Sequence, residues 1–174
     1  MDEPDPGLIR AAAKGDHDAF AQLVRAHQTM VWHFLCRLLD DRSLAEDVTQ
    51  ETFIRVFMRL PTFSYRSRFS TWVFAIARNA GIDALRARNR RDRLAHSVAD
   101  VNRDLSLSSP AGQIDLEMSI AALPTKLREA FLLVEVSGLR YDEAANVLRI
   151  PVGTVKSRIY HARQALIREL GERL

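Results

Sequence analysis

Tyr141-Asp-Glu-Ala-Ala-Asn-Val-Leu-Arg-Ile-Pro-Val-Gly-Thr-Val-Lys-Ser-Arg-Ile-Tyr-His-Ala-Arg163 is the stretch on which the reading of the fold turns. Its apolar residues recur at three- and four-residue steps on both sides of a short break at Arg149-Ile-Pro151, the pattern of two amphipathic helices joined by a tight turn. Ala144 and Ala145 are small where the helices must cross closely, and Leu148, Ile150, Val155 and Ile159 supply an apolar seam between them. Opposite the seam, Thr154, Lys156, Ser157, Tyr160, His161 and Arg163 offer donors and positive charge along the front of the second helix. A plain solvated helix would explain the charge but not the small residues that coincide with it. Together they read as a helix-turn-helix whose second helix can meet base edges in a major groove or the phosphates beside it. The turn of such a motif often uses glycine to reach a left-handed conformation. Here Arg149 takes that place, at a cost of about 1 kcal/mol, so either the turn is built differently or the arginine touches DNA backbone.

Working outward, a helix opens at Pro124 and runs to about Gly138, and another covers about 115–123, so the C-terminal part is a four-helix unit. Before it, residues 96–113 carry Ser106, Ser108, Ser109, Pro110 and Gly112 and lose helical rhythm, which marks a linker. The N-terminal part is helical as well. An apolar stripe from Phe20 through Leu23, Val31, Phe34 and Leu38 gives a long first helix, closed by Asp40-Asp41. Ser43-Leu44-Ala45-Glu46 has the spacing of a capping box, so a second helix starts there and ends near Pro61. A third runs from about Thr71 into an arginine cluster, with Trp72, Val73, Ile76, Ala80 and Leu85 facing inward. The expected fold class is all-α: two small helical domains, 1–95 and 114–174, joined by a flexible linker.

Composition narrows the function. Of 174 residues 47% are hydrophobic and 27% charged, which places the chain among globular proteins. No apolar run approaches membrane-spanning length and the start is acidic, so a cytoplasmic protein without membrane insertion is expected. The single cysteine, Cys36, excludes an internal disulfide; with His33 one turn away it gives too few ligands for a metal and reads as a core thiol. No catalytic triad, paired-carboxylate spacing or glycine-rich phosphate loop is present, so the expectation is no enzyme, no cofactor and no metal. Net charge is only +3, but it is unevenly spread. Six arginines lie between Arg78 and Arg93 against Asp83 and Asp92, and 149–168 carries five basic residues and no acid. Two distant basic segments suggest two contacts with a polyanion, and nucleic acid is the candidate.

Two N-terminal features fit that candidate. The segment Phe63-Ser-Tyr65-Arg66-Ser-Arg68-Phe69-Ser-Thr-Trp72 mixes aromatics and arginines without helical periodicity over 62–70, as a surface loop would. Aromatic faces stack on unpaired bases while guanidinium groups hold the backbone, so the loop suits single-stranded nucleic acid; the same composition suits the edge of an aromatic core, and the residues alone leave both open. Asp47, Gln50 and Glu51 share one helical face, with Val48 and Phe53 available for packing.

With Ala45-Glu-Asp-Val-Thr-Gln-Glu-Thr-Phe53, Phe69-Ser-Thr-Trp-Val-Phe-Ala-Ile-Ala-Arg-Asn79, Leu123-Pro124 and 151–163 in this order and spacing, the chain resembles the extracytoplasmic function (ECF) subgroup of sigma-70 family RNA polymerase sigma factors over about 8–95 and 114–172. The resemblance implies a transcription initiation factor. It implies that Asp47, Gln50 and Glu51, backed by Phe53 and Phe57, dock on the clamp helices of the largest subunit of core RNA polymerase. It implies that Phe63, Tyr65, Arg66, Arg68 and Phe69, with Trp72, Arg78 and Asn79, capture an unstacked base of the −10 promoter element and melt the DNA there. By the same resemblance Arg149, Thr154, Lys156, Ser157, Arg158, Tyr160, His161 and Arg163 read duplex DNA at the −35 element, the second domain rests on the flap of the other large subunit, and an anti-sigma factor occludes the polymerase-facing surfaces. Two rivals are a DNA-binding regulator with a signal domain, which needs no acidic face or aromatic loop, and a helical protein adaptor, which needs neither basic segment.

Overall fold

The structure, a computed structural model, describes residues 3–95 and 111–171. Among the described residues eight α-helices follow one another: α1 Pro6–Ala13, α2 His17–Leu39, α3 Arg42–Arg59, α4 Phe69–Ala95, α5 Ala111–Ala122, α6 Thr125–Phe131, α7 Tyr141–Leu148 and α8 Val152–Gly171. A 3-10 turn, Leu60–Thr62, closes α3, and a π turn, Leu132–Val136, extends α6. No strand occurs among the described residues. The expected all-α architecture is therefore what the chain adopts, and no helix among those residues is long and apolar enough to cross a membrane. The linker read over 96–113 lies mostly outside the described residues, with α5 beginning at Ala111.

Local chemistry sets the helix ends. Asp16 caps α2 by accepting from the Ala19 amide at 3.0 Å, and Asp40 ends the helix in a left-handed conformation, φ 50°. The next helix starts two residues earlier than its capping-box spacing suggests: Asp41, in extended backbone, accepts from the Leu44 amide at 2.9 Å, so Ser43 lies inside the first turn. A carboxylate next to a chain reversal captures the orphan amide before the serine can. The short helix α1, which the sequence reading left out, is capped by Asp5 with Pro6 opening the first turn.

α2, α3 and α4 pack around Phe34, Leu35, Leu38, Val56, Phe74 and Ala77, all buried. α2 and α4 approach closely at Gly81, where a Cβ would sit 2.9 Å from Leu38 Cδ2 and 3.0 Å from Leu35 Cδ2. The second unit packs α6, α7 and α8 around Leu132, Leu133, Ala144, Val155, Ile159 and Ala162. Gly138, φ 70°, turns the chain from the π segment toward α7.

The two units are in contact: α4 packs on α7, and α2 on α5 and α6. Polar groups hold them. Arg128 of α6 donates through Nη1 to the Leu38 carbonyl at 3.1 Å and through Nη2 to the Leu123 and Ala121 carbonyls. Within the first unit, Arg88 of α4 donates to the neighbouring Leu39 carbonyl at 2.8 Å. Two guanidinium groups thus sit at the C-terminus of α2, where free carbonyls and the helix dipole favour positive charge.

Candidate nucleic-acid interface

The helix-turn-helix forms as its spacing predicts. Ala144, Ala145, Leu148, Val155 and Ile159 are buried and Ile150 is half-buried, so the seam is continuous. Arg149 stands in the left-handed region, φ 55°, ψ 46°, at the C-terminus of α7. The turn keeps its ordinary geometry and the arginine bears the strain. On the front of α8, Lys156, Ser157, Tyr160, His161 and Arg163 are exposed, and Thr154 and Arg158 half-buried. Arg163 is tied to Glu135 at 2.7 Å, and that hydrogen bond holds its guanidinium more firmly protonated than usual.

The aromatic loop divides into side chains packed at the edge of the core and side chains left exposed. Phe63 packs at 4.8 Å from Tyr65, 5.1 Å from Trp72 and 5.7 Å from Phe69, measured between ring centroids. Phe69 does not belong to the loop's outer face: it starts α4, is 1% exposed and meets His27 edge-on at 5.2 Å. Its size and apolarity draw it into the core. Tyr65, by contrast, is exposed with φ 56°, Arg66 is exposed, and Phe63 and Trp72 are half-buried behind them.

His27 behind Phe69 is itself buried. Its Nδ1 donates to the Leu23 carbonyl at 2.8 Å and its Nε2 has no partner, so burial pushes its pKa below the usual histidine value and keeps the ring neutral.

Three carboxylates that the sequence reading did not single out hold the arginines of this region. Glu3 accepts from the Phe69 amide, from Arg68 Nε at 3.0 Å and from Ser70 Oγ at 3.3 Å, capping α4 from the far end of the unit. Arg68 also lies 3.5 Å from Glu143 of α7. Arg78 makes two bonds to Glu129 of α6, Nε to Oε1 at 2.9 Å and Nη2 to Oε2 at 3.2 Å. Glu129 is 2% exposed, and burial raises its pKa against the pull of Arg78. Thus Arg68 and Arg78, two of the expected DNA contacts, are joined to carboxylates of the second unit, while Asn79 beside them is exposed.

On α3, Asp47, Gln50 and Glu51 form an exposed face, with Glu51 bonded to Arg55 at 2.7 Å. Phe53 is buried. Phe57, expected to pack behind that face, is instead partly exposed against Phe20, at 4.9 Å between centroids. Its ring borders an apolar groove of about 580 Å³, lined also by His17, Val24, Phe53 and Ile54. Ile54 and Met58, 55% and 72% exposed, extend this apolar surface. Their four-residue spacing was visible in the sequence, but an amphipathic reading assigns such residues to a core.

Cys36 is free and half-buried, and burial raises its thiol pKa to about 11, so it stays protonated at neutral pH. His33 is exposed beside Trp32. No cluster of three metal-ligating side chains occurs among the described residues.

Residues 23–91 match the family model for sigma-70 region 2, and 113–166 the model for sigma-70 region 4. The chain belongs to the ECF group of the sigma-70 family. It is 40% identical over 169 residues to a probable RNA polymerase sigma-C factor of Mycobacterium bovis, covering 95% of this chain and 91% of the relative. It is 34% identical over 176 residues to the ECF RNA polymerase sigma factor SigW of Bacillus subtilis, covering 93% and 94%. Two solved structures share the fold at 27% identity. One is the sigma factor RpoE of Bartonella quintana in complex with the anti-sigma factor NepR, at a TM-score of 0.76 over 87% of this chain and 96% of that one. The other is CnrH in complex with the cytosolic domain of CnrY, at 0.74 over 95% and 96%. As a sigma factor the chain is a transcription initiation factor that serves promoter recognition, and not an enzyme.

Proposed function

We propose that the chain divides promoter recognition between its two units. Residues 1–95 bind core RNA polymerase and open the −10 element, 96–113 form the tether, and 114–174 read the −35 element as duplex. The observation that carries this reading is that one chain exposes two chemically different polar faces. The front of α8 presents Lys156, Ser157, Tyr160 and His161, fitted to a groove and its phosphates, and the loop at 63–68 presents Tyr65 and Arg66 over a packed aromatic platform. Thr154, Arg158, Arg163 and Arg149 would complete the −35 contact. Trp72, Phe63, Arg68, Arg78 and Asn79 would complete the −10 contact, with Phe69 supporting them from the core.

The polymerase contact would be Asp47, Gln50 and Glu51, joined by the exposed apolar side chains Ile54, Phe57 and Met58. Acid beside apolar surface fits the clamp helices of the largest subunit, and the second unit would rest on the flap of the other. An anti-sigma factor would cover the same surfaces, a reading supported by the complex in which RpoE is held by NepR. The protein would act in the bacterial cytoplasm, where the polymerase is.

The test separates the two tasks. Glu51→Lys should lose core binding in a pull-down, whereas Lys156→Ala should keep it and lower transcription from a cognate promoter. Full core affinity in Glu51→Lys would overturn the proposed polymerase face.

A further inference from the structure

Where α3 and α4 meet the turn between α7 and α8 there is a cleft of about 360 Å³, within the size range of small-ligand sites. Five arginines line it: Arg55 and Arg59 from α3, Arg78 and Arg86 from α4, and Arg149 from the turn. The carboxylates that answer them are few. Asp83 lies 3.8 Å from Arg55 and 3.7 Å from Arg86, Glu51 pairs with Arg55 and Glu129 with Arg78. Three acids therefore face five guanidinium groups, and Arg59 and Arg149 have no carboxylate partner among the described residues.

The second observation is the strain at Arg149. A glycine would take φ 55° without cost, whereas a side chain there costs about 1 kcal/mol and is kept only where something offsets it. Arg149 lines this cleft, and it is the one residue of the second unit that brings a positive charge to the lining.

We infer that the cleft binds a compact polyphosphate anion, such as inorganic pyrophosphate or the phosphate chain of a nucleotide, gripped by both units at once. About two unanswered positive charges suit adjacent phosphates, which guanidinium groups recognise with paired hydrogen bonds. An anion held by Arg59, Arg78 and Arg149 together binds the arrangement in which the units touch better than one in which they part, and so favours the closed form. Resting on the proposed function for this step alone, the anion and promoter DNA compete for Arg78 and Arg149.

The experiment is calorimetric titration of the full chain, without polymerase or DNA, using magnesium-free pyrophosphate, orthophosphate and ATP. Wild-type protein should bind pyrophosphate, and Arg149→Gly should bind it about tenfold more weakly or worse, one charge-assisted contact being lost. Without ligand, Arg149→Gly should melt no lower than wild type, because glycine relieves the left-handed strain. Arg25→Ala, an exposed arginine on α2, serves as control and should bind as wild type does. ATP binding more tightly than pyrophosphate assigns the site to a nucleotide, and equal binding to the phosphate chain; either upholds the inference. No binding by wild type at millimolar pyrophosphate, equal binding by Arg149→Gly, or orthophosphate binding as tightly as pyrophosphate would overturn it. None of these readouts depends on transcription, so failure here is separable from failure of the promoter assignment.

Discussion

Replacing Arg78 by alanine removes one partner of the ion pair between the units and leaves Glu129 buried without its fork of donors. Stranding one member of a fully buried pair costs about 3–5 kcal/mol. Two features of the structure lower that figure. The Arg78 side chain is 23% exposed, so water already screens the pair, and Arg158 and Arg86 lie close enough to attract the Glu129 carboxylate. A cost of about 2 kcal/mol remains, or roughly thirtyfold in an equilibrium constant. Much of it should fall on the contact between the units rather than on the core of either, since both residues are at that contact. The assay is energy transfer between dyes placed on α1 and on the exposed end of α8, with urea unfolding read alongside. Arg78→Ala should lengthen the mean distance while each unit keeps its helical signal. Glu129→Gln is the matching control: it preserves shape and one acceptor while removing the charge that burial disfavours, so it should cost under about 1 kcal/mol. An Arg78→Ala protein with wild-type distance and urea midpoint, or a Glu129→Gln protein as open as Arg78→Ala, would show that this ion pair does not hold the units together.

Stability should respond to pH through two groups of opposite sign. His27 is held neutral by burial, so below its usual value of 6.5 the unfolded chain binds the extra proton; stability should fall as pH drops from about 6.5 toward its lowered native value, and His27→Gln should flatten that slope in urea titrations. Glu129 is raised above its usual 4.5, so the native state binds the proton first; wild type should gain on Glu129→Gln as pH falls from that raised value to about 4.5, and no further below it, measured as a difference in urea midpoints. Lys156→Ala should weaken holoenzyme binding to promoters of any sequence and reduce the slope of log affinity against log salt by about 1. Tyr65→Ala should leave duplex binding near wild type but lower permanganate reactivity at the −10 element, with a loss of about 1–3 kcal/mol in strand opening if one base stacks there.

Periodicity made the helix-turn-helix legible. The alternation that buries Leu148, Val155 and Ile159 also leaves Lys156 and Tyr160 outward, and the left-handed strain at Arg149 follows from turn geometry alone. One helix end was legible outright, at Asp40, which closes α2 where no second cap competes; beside Asp41 the serine rule gave way to a better-placed carboxylate. Phe69 was misplaced because aromatic residues next to arginine look alike whether they face solvent or core. Glu3, Glu129 and Glu143 were invisible for a different reason: each meets its arginine across 50 or more residues of chain, and no local pattern encodes such a pairing. The contact between the units is therefore a property of the folded chain, although every residue in it was on view.

The most direct trial of the whole account is run-off transcription by bare core polymerase on a library of randomised promoters, with and without this protein. Discrete start sites should appear only with the protein, at templates sharing two motifs separated by a fixed spacing. Transcripts indistinguishable from those of core enzyme alone, on every template, would contradict this.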